Sequence, residues 1–458
     1  MATTRARPVI ARDHCLAPDR VVDAPIYGGR YARMFPGLPP LVADEQLLHA
    51  IGARGGACDG SAGAVDGGDD ANVAAGWPFF GQFVAHDITA DRSPLSSHAE
   101  VETLRNFRTP RLNLECLFGG GPVGSPYLYR RDDPAKFLLV EGGRDVPRNR
   151  EGLALIGDPR NDVHLFVNQL HVAFLLAHNL LVDRLRDHGL AEPDVFEEAR
   201  RATMWHYQWV LLYEYLPGLV GPELAEELAS EGPRYYAHGA DPFIPFEFAD
   251  AAFRYGHSQI RHRYRINEQS GELPMFPDLM GFESVGPERG VDWWLLFDLP
   301  GRPRAQRAKR MDGRLPASLI DLPAAITGDV DEDAYHSLAA RDLQRGQAIG
   351  LPSGETLARH LSVEPLSPEE VGLEEHGWRE ETPLWFYILR EADVRGGGDR
   401  LGPVGGRIVG DVLVGILDAD PESFRSVDPG WRPTLPAADG NRYSFADLLA
   451  IRTLTGET

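Results

Sequence analysis

Between residues 163 and 215 apolar side chains recur every three or four positions through two long stretches, and this constrains the chain more than any other feature. The first, about 163–188, is entered through Gly157-Asp158-Pro159-Arg160; the second, 194–215, ends at Pro217. Apolar residues at that spacing make one face of an α-helix, whereas a half-buried strand needs strict alternation. Alternating runs are scarce. The helical period returns over 76–90, where Pro78 is tolerated in the first turn, and over 246–266, which follows the breakers Pro242 and Pro245. It returns again over 335–348, stopped by Gly350 and Pro352, then over 382–394, and over 405–417, which resembles a buried helix. The predicted class is mainly α, a single large helical domain with long loops and little β. No internal repeat or linker divides the chain.

Gly (49) and Pro (36) are frequent enough to predict long connections between helices. Residues 1–25 read as a flexible N-terminal segment and 26–458 as the domain, with a wrapping segment at 27–41 and a mobile surface loop at 52–70. A net charge of -22, from 46 basic against 68 acidic side chains, repels phosphate backbones and anionic lipid, so neither nucleic acid nor a membrane surface is expected as a partner. Cys15, Cys58 and Cys116 are too few and too far apart for a disulfide framework or a CxxC metal site. The first residues lack the apolar stretch of a secretory signal, and no run reaches the roughly 18 apolar residues of a membrane span. A cytoplasmic location is the default expectation, with export left open; the oligomeric state is not legible.

Three segments carry the best-placed polar groups: GQFVAHDIT (81–89), GDPRND (157–162) and FRYGHSQI (253–260). Each sets a His or an Arg in or beside an apolar helical pattern. Alone, such a His is usually a hydrogen-bonded core residue and such an Arg is ion-paired. Combination and order change that reading. These motifs, with the later Gly350-Leu351-Pro352 segment, resemble the animal-type haem peroxidases of the peroxidase-cyclooxygenase superfamily over nearly the whole chain, from about 25 to 452. Bacterial members look especially similar, through TPLWFYILREAD (382–393) and RLGPVGGRIVGDVL (400–413).

The resemblance implies haem b with His257 as iron ligand, a role that neutral imidazole suits. It implies His86 as the distal base that moves a proton between the two oxygens of hydrogen peroxide. Arg160 becomes the fixed distal cation, a guanidinium staying charged at any working pH. Gln82, one turn before His86, matches a residue that hydrogen-bonds in the distal pocket. Arg254 matches an arginine that pairs with a haem propionate, and Asp342 falls where the family usually has an Asn that accepts from the proximal imidazole. An Asp there gives that ring imidazolate character and greater donor strength.

Asp87 resembles one ligand of the family's calcium site, completed by Thr109, the Arg111 carbonyl, Asn113 and Glu115, all oxygen donors as a hard cation requires. Two departures matter. Mammalian members bind haem through esters of two carboxylates, and those positions here are Ala85 and Val163. A neighbouring position, where one mammalian member uses Met for a sulfonium link, is His164. The haem is therefore expected to be held non-covalently, and chloride oxidation is disfavoured. His171 and His178 read as structural.

The expected activity is reduction of hydrogen peroxide coupled to oxidation of a small aromatic or halide donor. Two alternatives stand beside it: a fatty-acid oxygenase of the cyclooxygenase/dioxygenase branch, and a non-catalytic haem-binding protein. The oxygenase branch uses a tyrosine three residues before the proximal His, where this chain has Arg254; Tyr255 is two before. A bare binder needs no distal constellation.

Overall fold

The computed structural model describes residues 29–61, 69–90, 104–140, 142–239, 241–328, 333–437 and 443–451. The segment read as flexible, 1–25, lies outside them. So do Cys15 and residues 62–68 of the loop read as mobile. Its first part is anchored: Cys58 is fully buried, and Gly60 donates its N–H to the Leu315 carbonyl.

The architecture is mainly α. Its principal helices are α1 (Glu45–Gly52), α2 (Trp77–Ile88), α3 (Leu165–Asp187), α4 (Val195–Val210), α5 (Pro222–Glu231), α6 (Leu338–Ala348), α7 (Leu384–Gly396) and α8 (Pro403–Ala419). Helix α3 is the central rod. It begins where the His164 side chain caps the Val167 N–H, and Leu165 to Ala177 is buried without a break. By length and composition α3 could cross a membrane, but 89% of its most apolar stretch is buried inside the protein. It is a core helix, hydrophobic all round because other elements surround it. Helix α8 is a second such rod. Its apolar sequence packs so closely that a Cβ on Gly405 or Gly410 would approach Ile388 or Leu228 to less than 3 Å.

The strands are short. Gly29–Ala32 pairs in antiparallel with Arg105–Asn106 and in parallel with Phe243–Pro245, so the expected wrapping segment ties its end of the chain to the middle. Asp70–Ala74 pairs with Arg307–Lys309 in front of α2. One hydrophobic cluster runs from Met34 to Ile451.

Two sequence expectations are corrected. The second long helix does not stop at Pro217: α4 passes into a π-helical turn, Leu211–Tyr215, and continues as Leu216–Val220. The wider turn accommodates a proline that lacks an N–H and would kink a regular helix. The expected helix over 246–266 is broken into the short helix Phe246–Ala249, a 3-10 segment Ala252–Gln259 and the strand Arg263–Tyr264. Arg254 Nε donates to the Ala249 carbonyl at 2.9 Å, taking an acceptor that a continuing α-helix would use. Eight residues is long for a 3-10 run, a form that often marks a functional site. Here it carries His257.

Candidate active site

Helix α2, the 3-10 turn Pro159–Asp162 and the strap Ala252–Gln259 meet at one cavity. Its lining includes Gln82, His86, Arg160, Arg254 and His257. These residues span 176 positions in sequence, yet the fold brings all five together. Thr109, Asn113 and Glu115 instead form a second cluster behind α2, around Asp87.

His86 is 8% exposed at the last turn of α2. Its Nδ1 lies 2.7 Å from Asn161 Oδ1, an acceptor, which makes Nδ1 the protonated nitrogen and leaves Nε2 with a lone pair. Asn161 is itself fixed: its Nδ2 donates to His171 Nδ1 at 3.1 Å. His171, read as structural, thus backs the group that aims His86. Burial first, and the Arg160 charge second, push the His86 imidazole down to about 3. It is a neutral base at any ordinary pH.

Arg160 is held from two sides. Asp158 accepts from its main-chain N–H, Nε and Nη2 at 2.9, 3.0 and 2.7 Å, while Nη2 also donates to the carbonyls of His86 and Thr89 at 3.0 and 2.6 Å. Burial alone would raise Asp158, but Arg160 and Arg108 hold its carboxyl far below the usual range. Arg108 is the hidden member of this group. It donates to Asp158 from Nε and Nη2 and reaches Glu115 with Nη1 at 3.2 Å. Asp162 is clamped by a bidentate Arg148, both contacts at 2.7 Å. Each polar residue of GDPRND therefore has a separate task.

Gln82 accepts from His164 Nε2 at 2.6 Å through Oε1, so its amide NH2 is the part left to donate. His164 Nδ1 accepts from Val167, which fixes that tautomer. Ala85 and Val163, where covalent members carry carboxylates, both line the cavity.

On the opposite side, His257 Nδ1 lies 2.6 Å from Asp342 Oδ2. Asp342 projects from α6 and is 1% exposed. Burial raises its carboxyl, but His257, Arg254 and Arg345 outweigh that and leave it lowered. With Nδ1 engaged, Nε2 is the ring nitrogen available to a metal. Arg254 Nη1 meets Asp342 at 3.2 Å and Nη2 meets Asp250 at 3.4 Å, and its side chain also lines the cavity.

In the second cluster Asp87 is fully buried, accepting from the N–H of Leu114 at 3.0 Å and of Cys116 at 3.4 Å. Burial pushes its carboxyl up to about 7 despite those bonds and Arg108. Thr109 donates its N–H and hydroxyl to Glu115, Asn113 donates to Thr109 Oγ1, and Arg111 follows Thr109 in a tight turn. Among the described residues no group of three or more His, Cys, Asp or Glu could hold a metal, so any ion here depends on hydroxyl, amide and carbonyl oxygens as well.

Sequence reasoning missed Asn161, Asp158 and Arg108. The first two lie inside the motif that supplied Arg160, and their place beside that arginine was the available signal.

The family model for animal haem peroxidase matches residues 95–368, more than half of the chain. Among curated relatives, chorion peroxidase of Drosophila melanogaster is 25% identical over 80% of this chain and 45% of its own length. Thyroid peroxidase of Sus scrofa is 28% identical over 77% of this chain and 39% of its own. The chain thus spans less than half of either relative. Among solved structures, peroxidase A from Dictyostelium discoideum aligns at a TM-score of 0.62 and 15% identity, covering 92% of this chain and 91% of that one. Fatty acid alpha-dioxygenase from Arabidopsis thaliana aligns at 0.64 and 16%, covering 92% and 77%. These two likenesses establish the fold. With the family match and the convergence of three motifs on one cavity, the chain belongs to the animal haem peroxidase family.

Proposed function

We propose that this protein is a haem peroxidase that reduces hydrogen peroxide and oxidises a small aromatic or halide donor. One observation carries the reading: two histidines, each pinned through Nδ1, share a cavity with an arginine held on its own carboxylate. The residues fit haem b. His257 would supply the axial nitrogen from the strap, and apolar side chains such as Phe248, Phe253, Met275 and Leu322 line the same cavity. Ala85 and Val163 offer no ester, so the group would be held non-covalently by His257 and packing. When bound, haem supplies the oxidising equivalents taken from peroxide.

The chain's own part is to bind, orient and move protons. The neutral His86 Nε2 accepts a proton from one peroxide oxygen and returns it to the other, while Asn161 keeps the ring aimed. Arg160 would stabilise the charge that develops as peroxide is cleaved, and Asp158 with the carbonyls of His86 and Thr89 holds it still, so little reorganisation is needed. Gln82 would donate its amide N–H into the same cavity. Asp342 strengthens His257 as a donor. Asp87, Thr109, the Arg111 carbonyl, Asn113 and Glu115 make an oxygen-rich set that suits calcium, and a buried Asp87 under-compensated by the protein alone supports a cation there. That ion would tie the 109–115 loop to α2 and so to His86.

The similarity to fatty-acid dioxygenases reaches only the fold. Arg254 stands three positions before His257, where the oxygenase branch uses a tyrosine, and this favours the peroxidase. The test pairs His86→Ala with Arg160→Ala. Each variant should keep haem and lose about 10²–10³-fold in the rate of peroxide consumption. Unchanged peroxide turnover in both, or oxygen uptake with an unsaturated fatty acid in the wild type, would overturn the reading.

A further inference from the structure

A second cavity of about 350 Å³ lies on the far side of Tyr255, lined by Trp77, Tyr215, Gly218, Phe297 and Phe445 with Glu214, Asp298 and Asp399 near them. Tyr255 lines this cavity and the His86–His257 cavity alike. Its hydroxyl meets the Tyr215 hydroxyl at 2.6 Å in the buried interior. The Tyr215 ring lies 5.9 Å from Trp77, whose ring is 5.3 Å from Phe297 and 5.7 Å from Phe445. A file of three oxidisable rings, Tyr255, Tyr215 and Trp77, therefore leads from beside the iron ligand to an outer chamber, where Phe297 and Phe445 serve as walls.

The fold makes room for this pair at a cost. Gly81 sits in the middle of α2, where glycine is a poorer helix former than alanine. A Cβ there would come within 2.5 Å of the Tyr215 hydroxyl and 3.2 Å of the Tyr255 hydroxyl. On the other side, Tyr215 closes the π-helical turn of α4, an irregularity common at functional sites. A mid-helix glycine in α2 and the π-turn of α4 thus coincide at the point where the hydroxyls meet.

We propose that the outer chamber is a second donor site, for neutral or cationic aromatic amines and phenols, joined to the haem cavity by the Tyr215–Tyr255 pair. The proposal rests on the peroxidase reading. Aromatic walls suit a planar donor; Asp298 is neutralised by Arg307, but Glu214 and Asp399, the latter accepting from Asn72, keep the chamber acidic in a chain of net charge -22 and favour a cation over an anion. Tyr255 loses one electron to the peroxide-oxidised haem, and its proton ends in the water formed from peroxide. Tyr255 then takes a hydrogen atom from Tyr215 across their shared bond. Tyr215 takes one from the O–H or N–H bond of the donor, which leaves as a radical. Two passages balance one peroxide reduced to two waters, and both tyrosines are restored.

Two readouts test this on the full-length, haem-loaded protein. Rapid-freeze electron paramagnetic resonance after adding peroxide without donor should show a tyrosine radical that changes in Tyr255→Phe and Tyr215→Phe. Separately, turnover of tetramethylbenzidine, an aromatic amine of the class proposed for the chamber, is divided by turnover of iodide, a small anion that an acidic chamber disfavours. That ratio should fall about tenfold or more in Tyr255→Phe. It should fall similarly in Gly218→Phe, which fills the chamber from Leu216–Val220, where an added Cβ meets nothing within 4 Å. Gly218→Phe keeps the test decisive should a tyrosine variant fail to fold. A haem band that responds normally to peroxide, with no tyrosine signal and an unchanged ratio in every variant, overturns the relay alone. A haem band that ignores peroxide overturns the peroxidase reading and the relay with it.

Discussion

The two faces of the cavity are built differently. The distal face is a web: His86 leans on Asn161, Asn161 on His171, Arg160 on Asp158, Asp158 on Arg108 and Arg108 on Glu115. The proximal face is a strap, a 3-10 segment in which one buried carboxylate, Asp342, is shared between His257 and Arg254. The difference follows from the chemistry each side must do. A distal base has to be neutral and immobile, which burial and many hydrogen bonds provide. An axial ligand has to be electron-rich, which one buried anion beside it provides.

Paired variants separate these functions. Asn161→Leu should lower the rate of reaction with peroxide by about 10–100-fold with haem affinity and reduction potential unmoved, because only the aim of His86 is lost. Asp342→Asn keeps an acceptor for the His257 N–H but removes the charge, so spectroelectrochemistry should show a higher reduction potential. If Asn161→Leu moved the potential, or Asp342→Asn left it unchanged, the division of labour would be wrong.

Calcium sharpens the contrast, since its candidate loop adjoins the distal web through Glu115 and Asp87. Chelation should lower the unfolding temperature. At a tenfold excess of ion over its dissociation constant the loss is about 1.4 kcal/mol. Calcium should restore it, and Glu115→Gln should blunt the effect. A melting curve indifferent to chelator would remove calcium from the account.

How much of this was legible in the sequence depends on the kind of signal. The rods α3 and α8 were plain, because apolar periodicity over many turns leaves one reading. The break in 246–266 was not, since it depends on a side chain, Arg254, capturing a main-chain carbonyl that only the folded chain brings near. Likewise α4 ran through Pro217 because a π-turn, invisible to periodicity, absorbed it. His86, Arg160 and His257 were readable as a set by their order. Asn161, Asp158 and Arg108 were not singled out, because a polar residue that holds another residue has no spacing of its own.

A separate effect is on acid stability. Burial pushes His171 down to about 3, and His178 and His206 each to about 4, from an ordinary 6.5. These rings stay neutral in the fold but take up protons when unfolded. Stability is therefore full above pH 6.5 and drains as pH falls toward 4, at pH 5.5 by about 1.4 kcal/mol for each ring. Denaturant melts at pH 7.5 and 5.5 should show that loss, shrinking in His178→Phe.

The central claim is that His257 holds a haem which His86 and Arg160 set against peroxide. Its most direct test is the optical spectrum of the haem-loaded protein before and after one equivalent of hydrogen peroxide, beside His257→Ala. The account predicts a ferric Soret band in the wild type that shifts within seconds of adding peroxide, and loss of that band in the variant. A wild type that takes up no haem, or a variant that binds it identically, would contradict the account at its centre.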